Sequence, residues 1–214
     1  MGFAPAGDAG RTGGQLWRER VVEAMDDITV RVLGEDEWQV YRQVRLRSLQ
    51  DAPDAFAATY ATEADFPEDL WRERMRRSSR LVAEHEGEVM GVISVTDEVE
   101  TFERAAEAFG LWVTASGRGE GVATQLMTSA CDVAAQHAKR QLVTWVGTDN
   151  GRAVAFASSY GFRPTEYRRP MLTMPVRGID ADAPRGRPAD TELVTQAMEN
   201  GDDLELAMVL ALRT

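Results

Sequence analysis

Three glycines fall within the seven residues Gly117-Arg118-Gly119-Glu120-Gly121-Val122-Ala123, between a β-rich run at Ala108 to Thr114 and a strongly periodic apolar stretch. In that stretch Val122, Leu126, Ala130, Val133 and Ala134 share one helical face. A strand that hands over to a helix through such a turn lets several backbone N–H groups converge. The positive end of the helix dipole lies behind them. The arrangement is an anion site, and a diphosphate fits it without a metal. Three nucleotide-binding patterns compete for it. A P-loop needs G-x-x-x-x-G-K-[ST], and no Lys-Ser/Thr follows these glycines. A Rossmann fingerprint needs G-x-G-x-x-G/A; its last position is Val122 counted from Gly117 and Thr124 counted from Gly119, so both registers fail. The third pattern, R/Q-x-x-G-x-G/A, is met by Arg118 to Ala123.

The flanking chain predicts the sheet that carries this turn. Ile28 to Leu33 alternates as a strand, and from Glu35 the period turns helical through Trp38, Tyr41, Val44, Leu46 and Leu49 until Pro53 stops it. Asp65-Phe66-Pro67-Glu68-Asp69 reads as a second helix start with Asp65 as its cap. Leu81 to Ala83 and Val89 to Val95 form a hairpin about Glu86-Gly87-Glu88. Beyond the long helix come a strand at Leu142 to Val146, a helix at Arg152 to Tyr160 ended by Gly161, and strands at Thr165 to Met174 and Leu204 to Leu212. The strand–turn–helix–strand unit in the middle is a parallel crossover, so the class is α/β with a mixed sheet.

A chain of 214 residues allows one domain with tails. Residues 1–27 are expected to be a tail with a short helix at Gln15 to Asp27, and 28–214 the domain, with a Pro/Gly/Asp-rich excursion at 175–203 that holds a helix at Thr191 to Met198. The 24 basic against 35 acidic residues give a net charge of −11, which argues against a nucleic-acid partner. The single Cys131 rules out an internal disulfide and any multi-cysteine metal site, and the two histidines, His85 and His137, are too few and too far apart for a histidine centre; carboxylates could still hold a hard cation, but no metal site is assigned. No apolar run reaches membrane length, and the opening MGFAPAGDAGRTGG lacks the apolar core of a secretory signal, so a soluble, cytoplasmic protein with no membrane partner is expected.

The turn and its context resemble the GNAT superfamily of acyl-CoA-dependent N-acetyltransferases. Trp112-Val113 ends the strand before the turn, Val143 to Asn150 follows the long helix, and Asn150-x-x-Ala153-x-x-Phe156 leads into Gly161-Phe162. Arg45 to Leu49 with Pro53 to Phe56 resembles a segment common in bacterial members. The resemblance implies a mostly antiparallel sheet whose central parallel pair, ending near Val113 and Val146, splays apart to admit acetyl-CoA. It implies that the pyrophosphate rests on the backbone of Gly119, Glu120, Gly121, Val122, Ala123 and Thr124, that pantetheine pairs with the open strand edge, and that Trp112, Val113 and Asn150 belong to the cofactor site. Arg118 either adds charge near a phosphate or is a solvated loop arginine, and Glu120 is expected to point outward.

Acyl transfer to an amine needs a group to take the amine proton, a donor for the developing oxyanion, and a proton or donor for the leaving thiolate. Glu107 lies an even six residues before Val113, so a regular strand puts both on one side, and it stands where several family members carry a catalytic glutamate. An exposed charge at a strand end is the alternative. The residue after Phe156, where the family usually places a tyrosine acid, is Ala157. Tyr160, one turn on, is the candidate put forward, with packing beside Gly161 as its alternative, and Ser158 and Ser159 are nearby hydroxyls. Trp145 stands where other members place an acid. Trp38, Tyr41, Phe66 and Trp71 either line an acceptor pocket or pack the core. The expected activity is N-acetyl transfer from acetyl-CoA to a primary amine of a small molecule or peptide. The alternative, motivated by Ala157, is a catalytically silent acyl-CoA sensor. The apolar run Leu206 to Leu212 suits either a homodimer contact or a covered strand.

Overall fold

The computed structural model describes residues 28–56, 58–97, 99, 101–171, 191–200 and 203–212. The expected tail at 1–27 and most of the excursion at 175–203 lie outside the described residues, apart from a helix at Thr191–Asn200 (α6) where a short one was expected. Seven strands form one sheet: β1 (Thr29–Val32), β2 (Ser79–His85), β3 (Glu88–Thr96), β4 (Ala105–Val113), β5 (Gln141–Gly147), β6 (Arg163–Pro170) and β7 (Leu204–Ala211). Their spatial order is β1-β2-β3-β4-β5-β7-β6, and every neighbouring pair is antiparallel except β4–β5. The β2–β3 hairpin closes with Glu86 and Gly87 at φ 49° and 82°, the mirror-image turn whose twist suits a two-residue loop.

Five further helices flank the sheet: α1 (Trp38–Asp51), α2 (Tyr60–Ala64), α3 (Glu68–Arg77), α4 (Val122–Gln136) and α5 (Gly151–Tyr160). On one face, Leu81, Ile93, Val95, Ala106, Ala108 and Leu142 pack against Val122, Leu126, Ala130 and Ala134 of α4, and Ala157 and Phe162 join the same core. On the other, Val82, Val92 and Trp112 pack against Tyr41 and Val44 of α1 and Trp71 and Met75 of α3. Trp38 and Phe66 pack against that second core, and with Trp71 they also line a pocket that includes Arg42 and Glu68. Each face buries apolar side chains against a helical layer, the usual solution for a sheet that cannot leave either face wet.

One expectation is corrected. Asp65 does not cap the helix that follows it: α3 starts at Glu68 behind Pro67, while Asp65 closes the five-residue α2. That helix is started by Thr59, whose hydroxyl accepts the Thr62 N–H at 3.2 Å, so the chain is already helical before Asp65. β7 is an inner strand paired to β5 and β6, in keeping with the covered-strand alternative for the apolar run that begins at Leu206. Among the described residues, no helix is long and apolar enough to cross a membrane.

Candidate active site

The parallel strands β4 and β5 are partners only over Ala105–Glu107 and Gln141–Val143. Beyond that point β4 stays paired with β3 out to Val113, and β5 keeps its register with β7 out to Gly147. A gap therefore opens between two well-formed parts of the sheet. Thr114 N–H donates to the Met90 carbonyl at 2.9 Å and flanks the Gly91–Val113 pair. In an antiparallel ladder this makes Gly91–Val113 a pair without mutual hydrogen bonds, so the N–H and C=O of Val113 point away from β3 and into the gap.

Glu107 and Val113 do not share a side of β4, contrary to the even-spacing expectation. Val92 pairs with Trp112 and Ser94 with Phe109, so β4 carries one residue more than β3 over this stretch. The extra residue is a β-bulge at Gly110, whose φ is +66°. Ala106 and Ala108 face α4 before the bulge, and Leu111 and Val113 face α4 after it. Glu107 thus lies on the opposite face, at the last paired position before the strands part.

Past Val113 the chain makes a 3-10 turn at Ala115–Gly117, capped by the Thr114 hydroxyl, which accepts the Gly117 N–H at 3.2 Å. Gly119 and Gly121 then adopt φ +92° and +81°, a conformation that side-chain-bearing residues adopt only with strain. The Glu120 N–H donates to the Gly117 carbonyl. The N–H groups of Gly119, Gly121, Val122, Ala123 and Thr124 find no acceptor among the described residues. Together with the α4 dipole they form a cradle for an anion. Glu120 is exposed, as expected, and Val122 is buried against the sheet, where it anchors the cradle.

Arg118 is engaged by the protein itself. Its Nη2 pairs with the Asp51 carboxylate and its Nε donates to the Val113 carbonyl at 3.2 Å. Asp51 also accepts from the indole of the buried Trp112 at 2.9 Å. Asn150 is the N-cap of α5, and its Oδ1 accepts the Ala153 N–H at 3.0 Å. Its cap role fixes the start of the helix that follows β5, on the other side of the gap.

The structure does not bring the two candidate catalytic residues together. Tyr160 belongs to the α4-side core; its hydroxyl shares a 3.0 Å hydrogen bond with Thr128 of α4 and lies 3.9 Å from the Cys131 sulfur. Burial pushes the Tyr160 hydroxyl and the Cys131 thiol above their ordinary values, so both stay protonated at neutral pH and Cys131 is a poor nucleophile. Glu107, on the other face, is 1% exposed rather than a surface charge. Its Oε1 lies 3.6 Å from Nη2 of Arg169 on β6. Arg169 also donates to Glu205 of β7 at 2.6 Å and stacks 4.2 Å from the Trp145 ring centroid. Sequence reasoning missed Asp51, Arg169 and Glu205. Their partners are remote in the chain, and the one local signal was a charged pair, Arg168-Arg169, inside a predicted strand.

Among the described residues the sheet is split at its one parallel pair, beside the glycine turn. Residues 45–162 match the profile of the acetyltransferase (GNAT) family. That stretch is more than half of the chain, which therefore belongs to the GNAT acetyltransferase family, whose members transfer acyl groups. An uncharacterized N-acetyltransferase of Archaeoglobus fulgidus is 35% identical over 89 residues, which cover 40% of this chain and 60% of that protein's length. Among solved structures, a GNAT family acetyltransferase from Elizabethkingia anophelis with acetyl-CoA bound aligns over 87% of this chain and 99% of its own, with TM-score 0.56 and 14% identity. The ribosomal-protein-S18-alanine N-acetyltransferase of Escherichia coli aligns over 87% and 95%, with TM-score 0.53 and 15% identity. At these identities the likeness is one of fold.

Proposed function

We propose that the protein is an N-acetyltransferase that moves an acetyl group from acetyl-CoA to a primary amine of a small molecule or a peptide. The observation that carries this reading is the gap between β4 and β5 with the orphaned amides of the Gly119–Thr124 cradle at its mouth. Those donors fit a diphosphate, and the gap fits an extended arm. The bound thioester supplies an acyl carbon activated for attack by an amine. The Val113 N–H, turned into the gap, donates to the thioester oxygen as charge develops there. Glu107 accepts the amine proton; because its carboxylate is buried, the proton reaches it through a water. Asn150 is exposed, its Oδ1 is taken by the cap, and its side-chain N–H donors complete the proposed cofactor site.

The direct test is thiol release from acetyl-CoA across a panel of amines. Turnover with any of them supports the enzyme. Tight cofactor binding without turnover supports the sensor reading, which Ala157, 2% exposed where the family's tyrosine usually stands, favours. The cradle has its own test. A Cβ on Gly119 would meet nothing in the protein within 4 Å, so Gly119→Ala carries only the strain of φ +92°, about 1 kcal/mol. It is expected to weaken CoA binding about tenfold, since the methyl group enters the space in front of the amides. Unchanged affinity by calorimetry would show that no diphosphate rests there.

Tyr160 is assigned to packing, and the thiolate takes its proton from solvent. Tyr160→Phe is expected to keep kcat within about threefold and to lose about 1 kcal/mol of stability with its Thr128 hydrogen bond. A tenfold or greater fall in kcat at unchanged stability would reinstate it as the acid.

A further inference from the structure

We infer that Asp51 is a positioning residue of the cofactor site: from the end of α1 it holds the Arg118 guanidinium across the gap-facing carbonyl of Val113, and a cofactor must take Arg118 from it to bind. This rests on the proposed seat of a diphosphate on the glycine turn and of an extended arm in the gap.

Asp51 is the last residue of α1, and its Oδ2 receives both the Trp112 indole N–H at 2.9 Å and Nη2 of Arg118. Trp112 is buried, so the carboxylate has a fixed anchor on β4. Arg118 has two attachments, the Asp51 carboxylate and the Val113 carbonyl. That carbonyl is one of the two β4 main-chain groups turned into the gap at this residue, and an amide of an incoming arm would have to replace the guanidinium on it. Charge works in the same direction. Asp51 cancels the charge of the one arginine of the cradle and sets a carboxylate close to a site built for an anion.

The clasp is weak enough to yield. The Arg118 and Asp51 side chains are 46% and 33% exposed, and exposed ion pairs contribute about 0–1 kcal/mol. A diphosphate with several ionised oxygens outcompetes one carboxylate for the guanidinium. The return of Arg118 to Asp51 and Val113 then favours departure of the product CoA, a step that often limits turnover.

Asp51→Asn separates the parts, because its amide oxygen still accepts from Trp112 while the charge is gone. Wild type, Asp51→Asn, Arg118→Gln and the double variant are titrated with CoA by calorimetry, with thermal unfolding as the check on folding. Asp51→Asn is expected to bind CoA about three- to tenfold more tightly, and the gain to fall below about twofold when Arg118 is already glutamine. Asp51→Glu, which keeps the charge, is expected to return the affinity toward wild type. Binding by Asp51→Asn that is unchanged or weaker overturns the inference. So does a gain of equal size without Arg118, which would be a general field effect. If Asp51→Asn does not fold, Asp51→Gln, neutral and with an amide oxygen to accept from Trp112, carries the same expectations. Failure of the wild type to bind CoA would instead remove the proposed function itself.

Discussion

Glu63→Gln is expected to destabilise the protein by roughly 3–5 kcal/mol, the range measured when one partner of a buried ion pair is removed. Glu63 is fully buried on the short α2. Its Oε1 accepts from Arg45 Nη2 of α1 at 2.9 Å, and its Oε2 accepts from Arg45 Nε at 3.1 Å and from Arg74 Nη1 of α3 at 2.8 Å. Arg74 is likewise fully buried, and Arg45 nearly so. Glutamine keeps the shape and offers a single acceptor oxygen, leaving two guanidinium ions in a low-dielectric layer without the neighbouring negative charge. The rings that sandwich them, Phe56 at 4.7 Å from Arg45 and Phe66 at 4.8 Å from Arg74, supply only part of that stabilisation. Urea unfolding measures the loss. A variant within 1 kcal/mol of wild type would mean that the layer holds by apolar packing alone.

Glu107→Gln is expected to lower kcat by about a hundredfold or more while CoA affinity stays unchanged, the effect of removing a general base. The substitution is close to isosteric. Arg169 retains Glu205 at 2.6 Å and its stacking on Trp145, so the fold should survive the loss of the 3.6 Å contact. The other role open to Glu107, tying β4 to β6 across the split, predicts the reverse pattern: lowered stability with kcat intact. Steady-state kinetics read beside thermal unfolding decides between the two.

The parts of this molecule that were legible in its sequence are those whose cause is local. The glycine turn and the Gly161 stop each act within a few residues, and the turn and the helix it starts at Val122 lie where the pattern put them. The facing of Glu107 was misread because alternation assumes an unbroken strand. The one hint of a bulge was a glycine, Gly110, in a β-rich run. The α2 helix is too short to show a period, and only its Thr59 cap announces it. Asp51 was out of reach for another reason. Its partners, Trp112 and Arg118, lie 61 and 67 residues away, and only the folded sheet makes them neighbours.

Three rungs at one end join the four-strand plate β1–β4 to the three-strand plate β5–β7–β6. The split lies in the hydrogen-bond ladder alone. Beneath it the packing is continuous: Leu142, Val146 and Met208 of the smaller plate share one buried core with Leu81, Ile93 and Ala106 of the larger and with the α4 face. The opening is therefore framed by side chains that stay packed whether or not an extended guest lies in it.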